Sequence, residues 1–175
     1  MKKILFVLPF AMLLMSCGKV EDQLPSVSAD AKTVKLTYSN CGMERDAGDT
    51  TEALTVSLDI EGSESKYEIE VGPNCYVHSE YDEFLVKKDG YIKSKSTYHV
   101  DRLIIDYMSK KGVNFKVFAG ESESSSHESS VQTEYPGEND YGAVLEYPIN
   151  GNSWSITNET DYKPAFYSVT VVFTM

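Results

Sequence analysis

Residues 53–71, ALTVSLDIEGSESKYEIEV, decide the fold because apolar and polar side chains alternate on both sides of a short polar segment. The apolar positions are Leu54, Val56, Leu58 and Ile60 before that segment, and Tyr67, Ile69 and Val71 after it. A period of two predicts strands that bury one face and expose the other. The intervening Glu61-Gly62-Ser63-Glu64 predicts a turn, so this stretch is interpreted as a β-hairpin.

Further strands are predicted along the rest of the chain. Short runs of alternating or β-branched residues occur at 32–38, 113–118, 141–147, 153–157 and 166–174. Asn150-Gly151, between the late strands, is typical of a tight turn. The fold class that follows is mainly β, either an antiparallel sheet or a β-sandwich.

Two short helices are also predicted, which leaves an α+β arrangement open. Ser79 and Asp82 resemble a capping box in front of Phe84 and Leu85. A second helix is predicted over 98–111, where apolar residues recur at helical spacing and a glycine follows: Val100, Leu103, Ile104, Tyr107, Met108 and Gly112. Residues 119–140 are polar, rich in serine and predicted to form a long mobile loop.

The first residues carry the pattern of an export signal. Lys2 and Lys3 precede an uncharged apolar run over 4–15, which is too short to cross a bilayer core of about 30 Å as a helix. Leu14-Met15-Ser16-Cys17 follows and resembles the lipobox of bacterial lipoproteins. The resemblance implies cleavage before Cys17, a diacylglycerol thioether on its sulfur and acylation of the new amine. The alternative is an ordinary secreted protein in which Cys17 has no special role.

The resemblance divides the chain into three parts. Residues 1–16 are the signal peptide, residues 17–31 the lipid anchor and tether, and residues 32–175 a single mainly β domain. Lys19, Glu21 and Asp22, just after the cysteine, resemble the surface-export signal of Bacteroidetes lipoproteins. That resemblance implies an outer-membrane protein anchored through lipid on the cell surface, whereas the alternative is a solvated linker.

Charge narrows the classes of partner. The chain has 16 basic and 27 acidic residues and a net charge of −11, and loss of Lys2 and Lys3 with the signal peptide lowers the charge to −13. Phosphate backbones need clusters of Lys and Arg, so nucleic acid is not an expected partner. The expected partners are the membrane, through lipidated Cys17, and a glycan or protein ligand.

Cys41 and Cys75 remain after Cys17 is lipidated, and they are candidates for a disulfide. Strands 32–38 and 65–71 run in the same direction in a three-stranded meander, and each is followed by one of the cysteines. Both thiols are therefore expected at the same end of the sheet. The alternative is two free thiols.

Two further sets of residues are candidate sites. Tyr141, Tyr147 and Trp154 would form a platform for stacking on sugars if they were exposed together, and the alternative places Trp154 in the core. Asp49-Thr50-Thr51 resembles the O-glycan acceptor motif of Bacteroidetes, which makes Thr50 a candidate for modification.

No catalytic constellation, metal site or cofactor motif was identified in the sequence. His78 follows Cys75 by three residues, but His99 and His127 have no partner at metal-ligand spacing, and no nucleophile elbow or glycine-rich phosphate loop is present. The leading hypothesis is therefore a non-enzymatic surface lipoprotein that acts as a binding or adhesion module. The alternatives are a small cell-envelope hydrolase, and a periplasm-facing assembly or inhibitor protein.

Overall fold

The computed structural model describes residues 28–78, 80–108, 114–122, 125–132 and 142–175. These residues form twelve strands and no helix. The strands are β1 Lys32–Thr37, β2 Leu54–Asp59, β3 Lys66–Val71, β4 Cys75–Val77, β5 Phe84–Val86, β6 Tyr91–Ser94, β7 His99–Met108, β8 Asn114–Ser122, β9 Ser125–Gln132, β10 Gly142–Gly151, β11 Ser153–Thr157 and β12 Ala165–Thr174.

The strands pair into two six-stranded antiparallel sheets. Sheet A has the order β10-β7-β12-β5-β4, and β1 also pairs with β12. Sheet B has the order β2-β3-β6-β11-β8-β9. The mainly β prediction is confirmed, and so is the hairpin over 53–71: β2 pairs with β3 from Leu54↔Val71 to Asp59↔Lys66.

The inward faces of both sheets contribute to one hydrophobic core. The largest fully buried aromatic side chains are Trp154, Tyr67, Phe84, Phe115, Phe166 and Phe173. Aromatic contacts link the two sheets: Tyr67 of β3 lies 4.7 Å, ring centroid to centroid, from Phe173 of β12. Burial of these apolar side chains is the main stabilising contribution to such a fold.

The helix predicted over 98–111 is wrong for its described part, because residues 99–108 form strand β7. The helical spacing has a local cause. The register with β12 skips Asp101, since Phe173 pairs with Val100 and Val172 pairs with Arg102. This irregularity places Val100 and Leu103, three residues apart, on the same buried face. From Leu103 onward the buried residues alternate as in an ordinary strand.

The short helix predicted after Ser79 is also wrong for the described residues, since Phe84–Val86 form strand β5. All three side chains of β5 are buried. A strand that is buried on both faces shows no alternation, so its sequence does not distinguish it from a buried helix.

The long loop predicted over 119–140 is partly replaced by a hairpin. β8 continues to Ser122, and Ser125–Gln132 return as β9 along its edge. Residues 133–140 of that prediction lie outside the described residues. Serine has a low intrinsic preference for strands, but an edge strand gains its backbone hydrogen bonds from the strand beside it.

The pairing gives the molecule two distinct ends. β1 begins at Lys32, opposite Phe173, and ends at Thr37, opposite Ser168. The end that contains Lys32 also contains the β2–β3 turn, because Lys32 Nζ donates to the carbonyl of Glu61 at 3.3 Å. We call the opposite end the distal end; loops 38–53, 72–74, 87–90 and 158–164 lie there.

The distal loops are joined to one another by main-chain hydrogen bonds. Asn74 N–H donates to Thr50 O at 2.9 Å, Lys87 N–H to Asn74 O at 2.8 Å, and Asp89 N–H to Asn158 O at 2.7 Å.

Within the described residues, the structure contains no helix that could span a bilayer.

Candidate binding site on the outer face of sheet A

Four polar residues follow one another across the outer face of sheet A, towards the distal end. Phe84 and Val77 point into the core, so their neighbours Glu83 and His78 lie on the opposite face. Glu83 is followed across the sheet by Tyr167 of β12 and then by Asp106 of β7, which pairs with Ser168. We call His78, Glu83, Tyr167 and Asp106 the outer row. Four adjacent strands set its length at about 14 Å.

Glu83 is the most unusual member of the outer row. Its residue is only 3% exposed, and its Oε2 has no hydrogen-bond partner within the described part of the chain. Burial raises the pKa of Glu83, and the nearby His78 acts in the opposite direction. Native proteins satisfy nearly all buried polar atoms, so a carboxylate oxygen in this state is a candidate contact for an ordered water or a ligand.

The tyrosines beside Glu83 respond to its charge. Burial raises the pKa of Tyr167, and the Glu83 and Asp106 carboxylates raise it further. Burial also raises the pKa of Tyr76, with smaller effects from Lys87, Asp49 and Glu83. The hydroxyls of Tyr167 and Tyr76 therefore stay protonated at neutral pH and remain able to donate hydrogen bonds.

An exposed aromatic ring stands at the His78 end of the outer row. Tyr81 is 55% exposed, and its ring centroid lies 4.6 Å from that of His78. The ring Nδ1 of His78 accepts a hydrogen bond from the backbone N–H of Glu80 at 3.1 Å. The backbone N–H of His78 donates to the backbone carbonyl of Glu83 at 3.0 Å. These bonds close loop 78–83, apart from Ser79, which is not described.

Cationic side chains flank the outer row and are paired with neighbouring acids. An Arg45 guanidinium N–H donates to Asp82 at 3.0 Å, and the same guanidinium lies 5.2 Å above the Tyr38 ring. Lys87 donates to Asp49 at 2.6 Å and lies 4.9 Å above the Tyr76 ring. The surroundings of Glu83 therefore contain donors, acceptors and aromatic faces, with charges of both signs.

The predicted aromatic platform is not assembled. Trp154 is 1% exposed, and its Nε1–H donates to the Tyr67 hydroxyl at 3.0 Å inside the core. The alternative core position for Trp154 is therefore the one the structure shows. Tyr147 is partly buried and packs against the core, and Tyr141 lies outside the described residues. Trp154 and Tyr147 point inward because each alternates along its strand with neighbours that are more exposed.

Cys41 and Cys75 are both fully buried. The meander from which their meeting is predicted is wrong, because β1 pairs with β12 in sheet A whereas β2 and β3 pair in sheet B. The Cys41 sulfur donates to the Tyr38 carbonyl at 3.3 Å. Burial raises the pKa of Cys75 to about 12, and the neighbouring Cys41 is among the smaller causes. Burial also raises the pKa of Cys41. The two sulfurs are thiols in the structure, so the disulfide stays a prediction.

Thr50 has a structural role that competes with glycosylation. Its hydroxyl donates to Gly72 O at 2.8 Å, and it accepts from the Cys75 N–H at 2.9 Å. Attachment of a sugar to this oxygen would remove the donor and expose the Cys75 backbone. Cys17, the predicted lipidation site, lies outside the described residues.

Sequence reasoning did not identify the outer row. Tyr167 and Asp106 lie on β12 and β7, and His78 and Glu83 lie just beyond β4 and β5. Only the order of sheet A brings these three parts of the chain together, and none of the four residues belongs to a motif. One local signal was present: Glu83 stands directly before the apolar run Phe84-Leu85-Val86. Among the described residues, no group of three or more His, Cys, Asp or Glu could hold a metal ion.

Comparisons with known proteins add little to this picture. No protein-family model matches the chain, and a search of curated proteins found no similar sequence. Solved structures that are similar to this chain include "Crystal structure of CapF with inhibitor 3-isopropenyl-tropolone", with a TM-score of 0.31 and 12% identity. The similarity covers 73% of this chain and 30% of that chain. At this level it carries no argument about fold or function.

Proposed function

We propose that the chain is a lipoprotein anchored in the outer membrane through lipid on Cys17, and that its domain acts as a non-enzymatic binding module at the cell surface. The lipobox resemblance supports the anchor, because two or more acyl chains hold a protein stably in a membrane. The acidic residues after Cys17 support surface exposure.

The position of the distal loops is the observation that carries the binding role. The tether joins the domain at Lys32, and loops 38–53, 72–74, 87–90 and 158–164 lie at the opposite end of the sandwich. An anchored domain with this connection presents those loops, and the nearby outer row, away from its lipid. Binding residues commonly lie on loops held by a rigid scaffold.

Fractionation and protease treatment of intact cells test this function. The wild-type protein should sediment with the outer membrane, and added protease should degrade it without lysing the cells. A Cys17→Ala variant should leave the membrane fraction. A wild-type protein that stays protected on intact cells would contradict surface exposure, and membrane retention of the Cys17→Ala variant would contradict the lipid anchor.

A small cell-envelope hydrolase is the second candidate, and Glu83 favours it. Glu83 and Asp106 both lie beside Tyr167, and burial raises the pKa of Glu83 as a general acid requires. Release of reducing sugars from cell-wall or capsular polysaccharide, abolished by Glu83→Gln, would establish the hydrolase. Binding without turnover would exclude it for the polysaccharides used.

A further inference from the structure

The starting observation is the buried carboxylate oxygen Oε2 of Glu83, to which no donor among the described residues forms a hydrogen bond. Glu83 is 3% exposed, and its Oε2 has no hydrogen-bond partner among the described residues. A carboxylate that served only the fold would be expected to have a cation or N–H group beside this oxygen. The side chains near Glu83 are instead the other members of the outer row and Tyr81, whose groups can contact a ligand.

The groups around Glu83 combine hydrogen-bond donors, acceptors and an aromatic face. Tyr167 and His78 can each donate or accept, and Asp106 can only accept when ionised. Tyr81 adds an exposed ring, 55% accessible, at one end. Hydroxyl-rich ligands use this combination, since each hydroxyl donates and accepts while the ring C–H face packs on an aromatic side chain.

A charged ligand fits the outer row poorly. Glu83 and Asp106 are both acids and would repel an anion. Among the described residues, no group of three or more His, Cys, Asp or Glu could hold a metal ion. The nearby cations Arg45 and Lys87 are paired with Asp82 and Asp49, so a neutral ligand is the best match.

We propose that the outer row binds a neutral saccharide, with Glu83 accepting a ligand hydroxyl and Tyr81 packing on a sugar ring. This proposal rests on the binding function above and names its ligand class. Glu83 Oε2 is buried, so a ligand reaches it only after its surroundings rearrange. Glu80, Tyr81 and Asp82, which come just before Glu83 in the chain, are exposed.

Calorimetric titration of the purified folded domain tests the proposal with defined probes. The neutral probes are an α-glucan, an α-mannan and a β-galactan; hyaluronan and poly-L-lysine serve as anionic and cationic probes. At least one neutral polysaccharide should bind. Tyr81→Ala and Glu83→Gln should each weaken that binding about 10- to 100-fold, as expected for a lost stacking or charged hydrogen-bond contact.

The matched control is Met175→Ala. Met175 is 59% exposed, similar to Tyr81, but follows the end of β12 at the Lys32 end, opposite the distal loops. This variant should bind within about twofold of the wild type, since it removes no proposed contact. Tyr167→Phe, which keeps the ring and removes the hydroxyl, gives a second readout if Glu83→Gln does not fold.

Three results would overturn the proposal: no neutral polysaccharide binds, only hyaluronan or poly-L-lysine binds, or the Tyr81, Glu83 and Tyr167 variants bind as the wild type does. These results are separable from failure of the proposed function. A protein that protease removes from intact cells, but that binds none of the neutral probes, keeps its surface location and loses only the saccharide assignment.

Discussion

Single residues explain why the aromatic side chains of this chain do not form a surface platform. Trp154 is the only tryptophan, and alternation along β11 places it inside with Ile156. Its indole N–H then needs an acceptor, which Tyr67 supplies from β3. A buried donor with a partner is neutral to stability or favourable, whereas the same donor without one is costly.

Tyr67→Phe should therefore destabilise the domain although it removes only one oxygen. The Trp154 N–H would lose its acceptor, and the free energy of unfolding should fall by about 1–3 kcal/mol. Urea unfolding followed by tryptophan fluorescence measures the change. Tyr162→Phe, at an exposed position, is the control; equal effects of the two substitutions would show that the hydrogen bond contributes nothing.

Glu83 should make the stability of the domain depend on pH. Burial raises its folded-state pKa above the ordinary value of 4.5, so the native state holds the proton more tightly than the unfolded chain. This contribution is fully present below pH 4.5 and is lost as pH rises through the folded pKa. The stability of Glu83→Gln relative to the wild type should therefore rise as the pH increases from 4.5 through the folded pKa of Glu83, and should level off above it.

Unfolding curves at several pH values between 4 and 8 measure that difference. Glu80→Gln is the control, because Glu80 lies in the same loop and is exposed. A difference between Glu83→Gln and wild type that stays constant across this range would contradict the assignment of a raised pKa to Glu83.

The two buried thiols carry a prediction about covalent state. In an oxidising compartment Cys41 and Cys75 should form a disulfide, which closes a loop of about 35 residues and stabilises the fold by about 3–4 kcal/mol. Alkylation in denaturant should label neither cysteine before reduction and both afterwards. Two labels without reductant would show that the bond does not form.

At the level of elements, the clearest sequence pattern gave the most accurate prediction. β2 and β3 are half-buried strands, and their alternation is visible residue by residue. β5 is buried on both faces, and β7 contains an irregularity at Asp101. Both features erase or shift the period of two, so these strands resemble helices in the sequence although their β-branched residues favour strands.

Thr50 joins loop 38–53 to the segment between β3 and β4. Its hydroxyl and backbone form hydrogen bonds with Gly72, Asn74 and Cys75. Thr50→Val keeps the shape and removes the hydroxyl, so it should lower the free energy of unfolding by about 1–3 kcal/mol. Thr51→Val, at the exposed neighbouring position, should have an effect within about 0.5 kcal/mol. Thermal or urea unfolding of both variants measures these changes in the free energy of unfolding, and equal effects would show that the Thr50 hydroxyl contributes nothing.

For the whole molecule, the sequence predicted the fold class but not the order of the strands. The mainly β class follows from local patterns, whereas the meander of β1, β2 and β3 is wrong, because β1 lies in sheet A and β2 and β3 lie in sheet B. The outer row could not be predicted, because it depends on β4, β5, β12 and β7 lying side by side. Sheet order is set by packing between residues distant in sequence, and no local pattern encodes it.

The proposed anchor depends on one covalent modification. If Cys17 carries lipid, the chain enters the domain at the Lys32 end, and the distal loops lie at the end away from that attachment point. If Cys17 carries none, the proposed role at the cell surface is lost.

The most direct test is the intact mass of the mature protein extracted from its native envelope. We predict a chain that begins at Cys17 and carries a diacylglycerol group on the sulfur and an acyl group on the amine. A mature chain that begins at another residue, or a Cys17 without lipid, would contradict the account.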